Sequence, residues 1–295
     1  MAAGGGILHP RMEKPHKPGG VMPDVYAHIT EADEATLDVV AAAMELRATD
    51  PRQQEILATY LARIDWPPVA RVLEIGCGTG AITRALAARP TVSEVVGVEP
   101  SPGLVKRARK LAAALPTVSF IEADGRDVPL PEGSFDAVVV HTVLSHVPGP
   151  ERVVAEAFRL LRSGGWAAFF DGDYATMTVA RAADDPLQAC ASAFAEHYIN
   201  DAWVMRRLPR VAVDAGFADP VIDSHGYLGV DDAPYLRSIV ARGAEALLAS
   251  GVIARSVVAA LSDETERRVT AGEFFGFIGY ISLIVRKPDG QANNS

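Results

Sequence analysis

The stretch Arg71-Val72-Leu73-Glu74-Ile75-Gly76-Cys77-Gly78-Thr79-Gly80-Ala81 decides how the rest of the chain is read. A short apolar run breaks into glycines, and a helical pattern then opens with Ile82, Thr83, Arg84, Ala85 and Leu86. That is strand, tight turn and helix N-terminus. Three glycines at alternate positions allow a sharp turn and let a ligand approach the main-chain N–H groups with no Cβ in the way. Gly76, Gly78 and Ala81 also satisfy the spacing G-x-G-x-x-G/A of a dinucleotide-binding turn. Glu74 separates the readings, because a carboxylate beside the turn repels a pyrophosphate and attracts a cation.

Outward from this turn the chain alternates. Residues 71–75 read as a strand, 81–88 as a helix closed by Pro90, and 94–98 as a second strand ending at Glu99-Pro100. Residues 102–114 are helical with Leu104, Val105, Ala108 and Leu111 inward, and 118–122 form a third strand before Ala123-Asp124-Gly125. The fourth strand, 135–141, carries the unbroken run Ala137-Val138-Val139-Val140, as expected when both faces are covered. A helix at 150–161, closed by Ser163-Gly164-Gly165, leads to a fifth strand at 166–170 and then Asp171-Gly172-Asp173-Tyr174. Such alternation predicts an α/β fold with a doubly wound, mainly parallel sheet.

Two helices precede the series within 25–64, the second opened by Asp50-Pro51 as N-cap and first helical residue. After it the rhythm changes. Residues 184–200 and 201–215 read as helices, 220–227 as a strand, 232–269 as helical with a break near Ser250-Gly251, and 274–286 as a long apolar strand. This makes seven strands, with helical insertions at about 175–200 and 231–270 that lie over the carboxyl edge of the sheet, where open α/β sheets bind ligands. Residues 1–24 and 289–295 read as tails, the first of them mobile, and 25–66 as helices covering the site of a 67–288 domain.

Composition excludes several classes. The 295 residues are 49% hydrophobic and 22% charged, enough for a sizeable core. A net charge of -9 argues against nucleic acid or an anionic membrane as partner. Two cysteines, one of them in the glycine turn, argue against a disulfide framework and for a reducing cytoplasm. No stretch is long and apolar enough to span a membrane, and residues 1–24 lack the apolar region of a signal peptide. No metal-ligand cluster is expected.

The first three strands each carry an acidic group near the carboxyl end: Glu74, Glu99 and Asp124. Glu99 lies about 20 residues beyond the glycine turn, where a carboxylate can accept both hydroxyl protons of a ribose. Asp124 can accept from the exocyclic amine of a purine while the next N–H meets a ring nitrogen, and Pro100 offers an apolar face. The set describes a nucleoside site with a cationic end near Glu74.

With these residues in view, Val72-Leu73-Glu74-Ile75-Gly76-Cys77-Gly78-Thr79-Gly80 resembles motif I of the class I S-adenosylmethionine-dependent methyltransferases. Val98-Glu99-Pro100-Ser101, Glu122-Ala123-Asp124-Gly125, Ser134-Phe135-Asp136 and Leu160-Leu161-Arg162-Ser163-Gly164-Gly165 resemble the later motifs in order. They are most similar to the quinone-biosynthesis-like branch with its many small-molecule and secondary-metabolite enzymes. The resemblance implies a Rossmann-like sheet whose last strand is antiparallel, with helical lid insertions. It implies S-adenosylmethionine as cofactor, packed against Gly76, Cys77 and Gly78. Glu74 would hold its ammonium, Glu99 its ribose, Asp124 and Gly125 its adenine, and His141 and Thr142 would lie beside the sulfonium. Tyr26 and Arg47 would cover it, with Arg47 on its carboxylate.

Methyl transfer needs in-line positioning more than covalent chemistry from the protein, with a base where the acceptor is a hydroxyl. His141, His146, Asp171 and Asp173 are candidates for that base, and Tyr174, His197, Tyr198 and Trp203 for acceptor contacts. The expected acceptor is a small apolar or aromatic molecule methylated on O, N or C by a monomer or homodimer. A cyclase or pericyclase using the sulfonium electrostatically competes on the same fold. A NAD-dependent dehydrogenase and a non-enzymatic interaction module stand further off.

Overall fold

The computed structural model describes Tyr26, 28–230 and 232–289, so the expected tail at 1–24, and all of the expected tail at 289–295 except Asp289, lie outside the described residues. Two helices lead in, α1 (Glu34–Thr49) and α2 (Pro51–Leu61). Asp33 caps α1 by accepting from the Thr36 N–H, and Asp50 caps α2 by accepting from the Arg52 and Gln53 N–H groups. The alternating series follows: β1 (Ala70–Ile75), α3 (Ala81–Ala87), β2 (Val92–Glu99), α4 (Pro102–Leu111), β3 (Val118–Glu122), β4 (Phe135–His141), α5 (Pro150–Leu160) and β5 (Leu161–Thr178). Then come α6 (Leu187–Tyr198), α7 (Val204–Asp214), β6 (Ala218–Val230), α8 (Pro234–Ala249), α9 (Arg255–Thr270) and β7 (Phe275–Arg286).

The seven strands run in the order β3-β2-β1-β4-β5-β7-β6, parallel from β3 to β5 and antiparallel at both sides of β7. The doubly wound architecture and the antiparallel last strand are as expected. Strand order reverses between β1 and β4, which sets the crevice at their carboxyl ends. The pleat divides the core into two. Leu73, Ile75, Val96, Val98, Val138 and Val140 pack on one face with α5 and α7. Val72, Val95, Ala137, Val139, Ala168 and Phe170 pack on the other with α2, α6 and α8. Glu74 shares the parity of Val72, and His141 that of Val139, so both belong to the second face.

The fifth strand departs from its expected bounds. Helix α5 ends because Leu161 is already extended (φ -72, ψ 139), so Ser163-Gly164-Gly165 does not cap it. Gly164 (φ 73) instead turns at the start of β5 and donates to the Lys287 carbonyl. The strand also runs beyond Phe170, because β7 pairs with it as far as Thr178↔Phe277. Asp171, Asp173 and Tyr174 therefore lie inside a strand, not beyond its end. The expected break at Ser250-Gly251 is present as the turn between α8 and α9, with Gly251 at φ 71.

Helices α6 and α8 meet backbone to backbone. A Cβ on Gly243 would lie 1.9 Å from the Cys190 carbonyl oxygen. Gly243→Ala is expected to lower the urea midpoint, destabilising the fold by about 1–3 kcal/mol through forced separation of the two helices. An unchanged midpoint would show that the crossing is not held this tightly.

Candidate functional site

Four amides of the glycine turn are spent internally. The Gly76 and Cys77 N–H groups both donate to the Val98 carbonyl at 2.8 and 3.0 Å, and the Gly80 N–H donates to the Cys77 carbonyl at 2.7 Å. The Gly78 N–H donates to Glu99 Oε2 at 3.0 Å. This corrects the expectation that a ligand meets free main-chain donors here. The turn offers Cα surface, not a phosphate cradle. Gly76 takes φ 74, and a Cβ there would lie 2.4 Å from a Val143 methyl.

Glu74 is 1% exposed and its Oε2 accepts a short hydrogen bond from the Thr83 hydroxyl. Burial pushes its carboxyl up to about 8, with Thr83 opposing and the nearby Glu99 adding. Glu99, 5% exposed, also accepts from the Ser101 N–H at 3.1 Å, and burial raises it to about 7. Cys77 is buried, and burial raises its thiol, so it is no nucleophile.

A cavity opens on the second face of the sheet. It is lined by Glu74, Gly76, Cys77, Gly78, His141, Thr142 and His146 from the strand ends, by Tyr26, Met44, Arg47, Gln53 and Leu57 from the leading segment, and by Tyr174, Phe194, Ile199, Tyr235 and Arg242. His141 is buried, its Nδ1 lies 2.8 Å from the Tyr60 hydroxyl, and its ring stacks on Phe170. Burial, helped by Arg47, holds its pKa well below the usual imidazole range, so it is neutral. Arg47 donates to Thr142 Oγ1 at 2.6 Å. Thr142 sits at φ 54, a costly conformation for a β-branched residue, and its N–H is anchored to the Phe170 carbonyl. His146 packs against Tyr26 with ring centroids 4.4 Å apart.

Of the residues singled out from sequence, the cavity brings together Tyr26, Arg47, Glu74, Gly76, Cys77, Gly78, His141, Thr142, His146 and Tyr174. The others lie elsewhere. Asp173 is clasped by Arg206 through both carboxylate oxygens. Asp171 accepts from the Ser145 N–H and hydroxyl and from the Gly172 N–H, which ties the loop after β4 to β5. His197 bonds the Ala193 carbonyl and Ser250, Tyr198 lies under Arg242, and Trp203 is 51% exposed beneath Arg206. Glu99, Pro100, Asp124 and Gly125 are not part of the cavity lining, though Glu99 accepts from the N–H of Gly78, which is. Asp124 is held in a fork by Arg126, which lowers its pKa.

Sequence reading missed Tyr60, Gln53, Phe194, Tyr235 and Arg242. Tyr60 lies on the inward face of α2 and looked like core. Tyr235 and Arg242 are seven residues apart, two turns on one face of α8, which was the available signal. Among the described residues no cluster of His, Cys, Asp or Glu could hold a metal ion, and no helix is long and apolar enough to cross a membrane.

A family model for a methyltransferase domain matches residues 73–169, which bears out the resemblance drawn from the motifs. The chain is 31% identical over 195 residues to an uncharacterised transposon protein of Streptomyces fradiae, covering 64% of this chain and 55% of that one. It is 33% identical over 111 residues to a chloroplastic 2-methyl-6-phytyl-1,4-hydroquinone methyltransferase of Oryza sativa subsp. japonica, covering 38% of this chain and 32% of that enzyme. The chain thus spans about half the length of the first relative and a third of the second. The crystal structure of the cyclase SpnF is similar in fold, with TM-score 0.55 and 20% identity over 92% of this chain and 98% of that one.

Glu74 makes stability depend on pH. Its carboxyl ordinarily titrates near 4.5 and in the folded protein near 8, so the folded state holds the proton more tightly. Its contribution is most favourable below pH 4.5 and is lost as pH rises toward about 8. Glu74→Gln keeps an acceptor for Thr83 and removes the charge. It is expected to melt higher than the parent at pH 8 and alike at pH 4, and equal melting at both would refute the burial of charge.

Proposed function

We propose that the protein, whose residues 73–169 match a family model for a methyltransferase domain, transfers a methyl group from S-adenosylmethionine to a small organic acceptor. The observation that carries this reading is Glu74: a buried carboxylate facing the cavity beside a turn in which the Gly76, Cys77, Gly78 and Gly80 amides already have acceptors. Such a site suits a cationic amino-acid end and does not suit a pyrophosphate, which turns the reading away from NAD. Glu99 supports it as a second buried carboxylate on β2, two residues beyond Gly97, the register partner of Glu74, and it is assigned to the ribose hydroxyls. Arg47, with no carboxylate partner among the described residues, suits the carboxylate of the same ligand. Asp124 and Gly125 are assigned to the adenine, with Asp124 exchanging Arg126 for the base.

The leading helices are proposed as a lid. The Met44 sulfur fills the space above Gly78, where an added Cβ would lie 2.6 Å from it. Arg84 to Glu45, and Arg107 to Glu34 and Asp38, hold α1 down. The cavity under it has only about 90 Å³ of space, below the ~300–1,000 Å³ of ordinary ligand sites, so admitting a nucleoside requires α1 to shift.

S-adenosylmethionine would supply an electrophilic methyl group on a sulfonium that leaves as a neutral thioether. The protein positions the acceptor and receives its proton. His141, neutral and fixed by Tyr60 and Phe170, is suited to orienting, while His146 in the same lining is the candidate to take a proton. Tyr174, Phe194 and Tyr235 suit an apolar or aromatic acceptor of secondary metabolism. We place the protein in the cytoplasm as a monomer or homodimer without a nucleic-acid partner.

S-adenosylhomocysteine is expected to raise the melting temperature, and NAD is not. Its affinity should rise as pH increases from 6 to 8, because Glu74 near 8 and Glu99 near 7 must ionise to bind. Glu74→Gln should flatten that profile and weaken binding about tenfold or more. Tritium from the labelled methyl donor should then appear in an acceptor. Product formed without demethylated cofactor would favour a cyclase, and a melting shift with NAD alone would overturn the donor site.

A further inference from the structure

The wall of the cavity built by the inserted helices contains a second guanidinium. Arg242 on α8 lines it, stacked over the rings of Phe194 at 4.8 Å and Tyr198 at 4.2 Å from α6. Stacking fixes the plane of the group but uses none of its N–H donors. Among the described residues Arg242 has neither a carboxylate partner nor a hydrogen bond. Arg237 on the same helix is held by both Asp232 and Glu266. The outer face of α8 is therefore neutralised and the inner face is not. In the same lining Gln53 is buried, and its Nε2 has no acceptor among the described residues.

Charge adds a second, independent constraint. The lining holds one acid, Glu74, against Arg47 and Arg242. With the methyl donor bound, Glu74 answers its ammonium and Arg47 its carboxylate. The sulfonium and Arg242 are left, both positive, in a half-buried aromatic setting where unpaired charge is costly. An acceptor with an anionic oxygen group removes that cost, and its aromatic body fills the space among Tyr174, Phe194 and Tyr235.

We propose that the acceptor is an aromatic oxyacid whose anionic group is held by Arg242. This rests on the methyl-donor reading above, since the donor accounts for Glu74 and Arg47. The planar fork of Arg242 takes two oxygens of a carboxylate or phosphate side by side. Arg242 is thus a specificity-determining residue that acts on the acceptor and not on the donor.

The test compares binding of matched probes by calorimetry on the full chain: benzoate, cinnamate and 1-naphthoate, each against its primary amide, and phenyl phosphate against phenol. Each pair is run with and without S-adenosylhomocysteine. The anionic member should bind about tenfold or more tightly than its neutral partner. Arg242→Met, which keeps an unbranched apolar stem and removes the guanidinium, should erase that preference while leaving S-adenosylhomocysteine binding unchanged. Arg237→Met removes the same charge from the outer face and should keep the preference. A larger preference for carboxylates or for phenyl phosphate identifies which oxyanion is read. Equal binding of anion and neutral partner throughout, or a preference that survives Arg242→Met, overturns the proposal. Loss of S-adenosylhomocysteine binding in the parent overturns the donor reading instead, while the probe pairs without it still report on Arg242.

Discussion

A carboxylate kept out of water at the end of β1 is the constraint from which the site follows. Glu74 lies between β2 and β4, is covered by α3 through Thr83, and shares its burial with Glu99. In that setting ionisation is opposed both by lost hydration and by the second acid. The group is satisfied either by a proton or by a cation delivered to it. Neighbouring amides give Glu74 no relief, because Val98 and Glu99 already accept the N–H groups of the turn. The turn is held for the same reason: the Val98 carbonyl of β2 and one carboxylate fix it before any ligand arrives.

That rigidity contrasts with what lies above it. Helix α1 reaches the turn through Met44, a thioether that packs without demanding a unique geometry. The ion pairs that hold α1 on α3 and α4 are partly exposed, and such pairs contribute ~0–1 kcal/mol each. A floor set by strand register and a cover set by weak surface pairs is an arrangement in which the cover moves first.

How much of this could be read from the residues depended on the range of the forces involved. Glu74, Glu99 and the glycines were legible because strand register and the switch between β1 and β4 place them, and both are local pattern plus topology. The extent of β5 was not, because Gly164-Gly165 looks like a helix stop until β7 is paired across it. Asp173 looked like a site residue at a strand end. Its use by Arg206 depends on where α7 packs. His197 and Trp203 stood out by residue type, yet the helices carrying them turn those side chains to Ser250 and to Arg206. Thr142 was placed by its strand, but its φ of 54 and its bond to Arg47 appear only in three dimensions.

Arg242 shows the same limit most clearly. On a helix that also carries Arg237, an arginine reads as solvated surface. It becomes part of the cavity because Gly243, its neighbour, lets α8 touch the backbone of α6 at Cys190, which brings Arg242 onto Phe194 and Tyr198. The proposed donor half of the site is thus written in motifs on the sheet. The proposed acceptor half is written in the packing of two inserted helices, where Gly243 sets the crossing and the spacing of Tyr235 and Arg242 is the one local signal. An insertion can alter the acceptor side by changing that crossing while β1, β2 and β4 keep the donor side fixed. On that reading, likeness in fold alone does not name an acceptor.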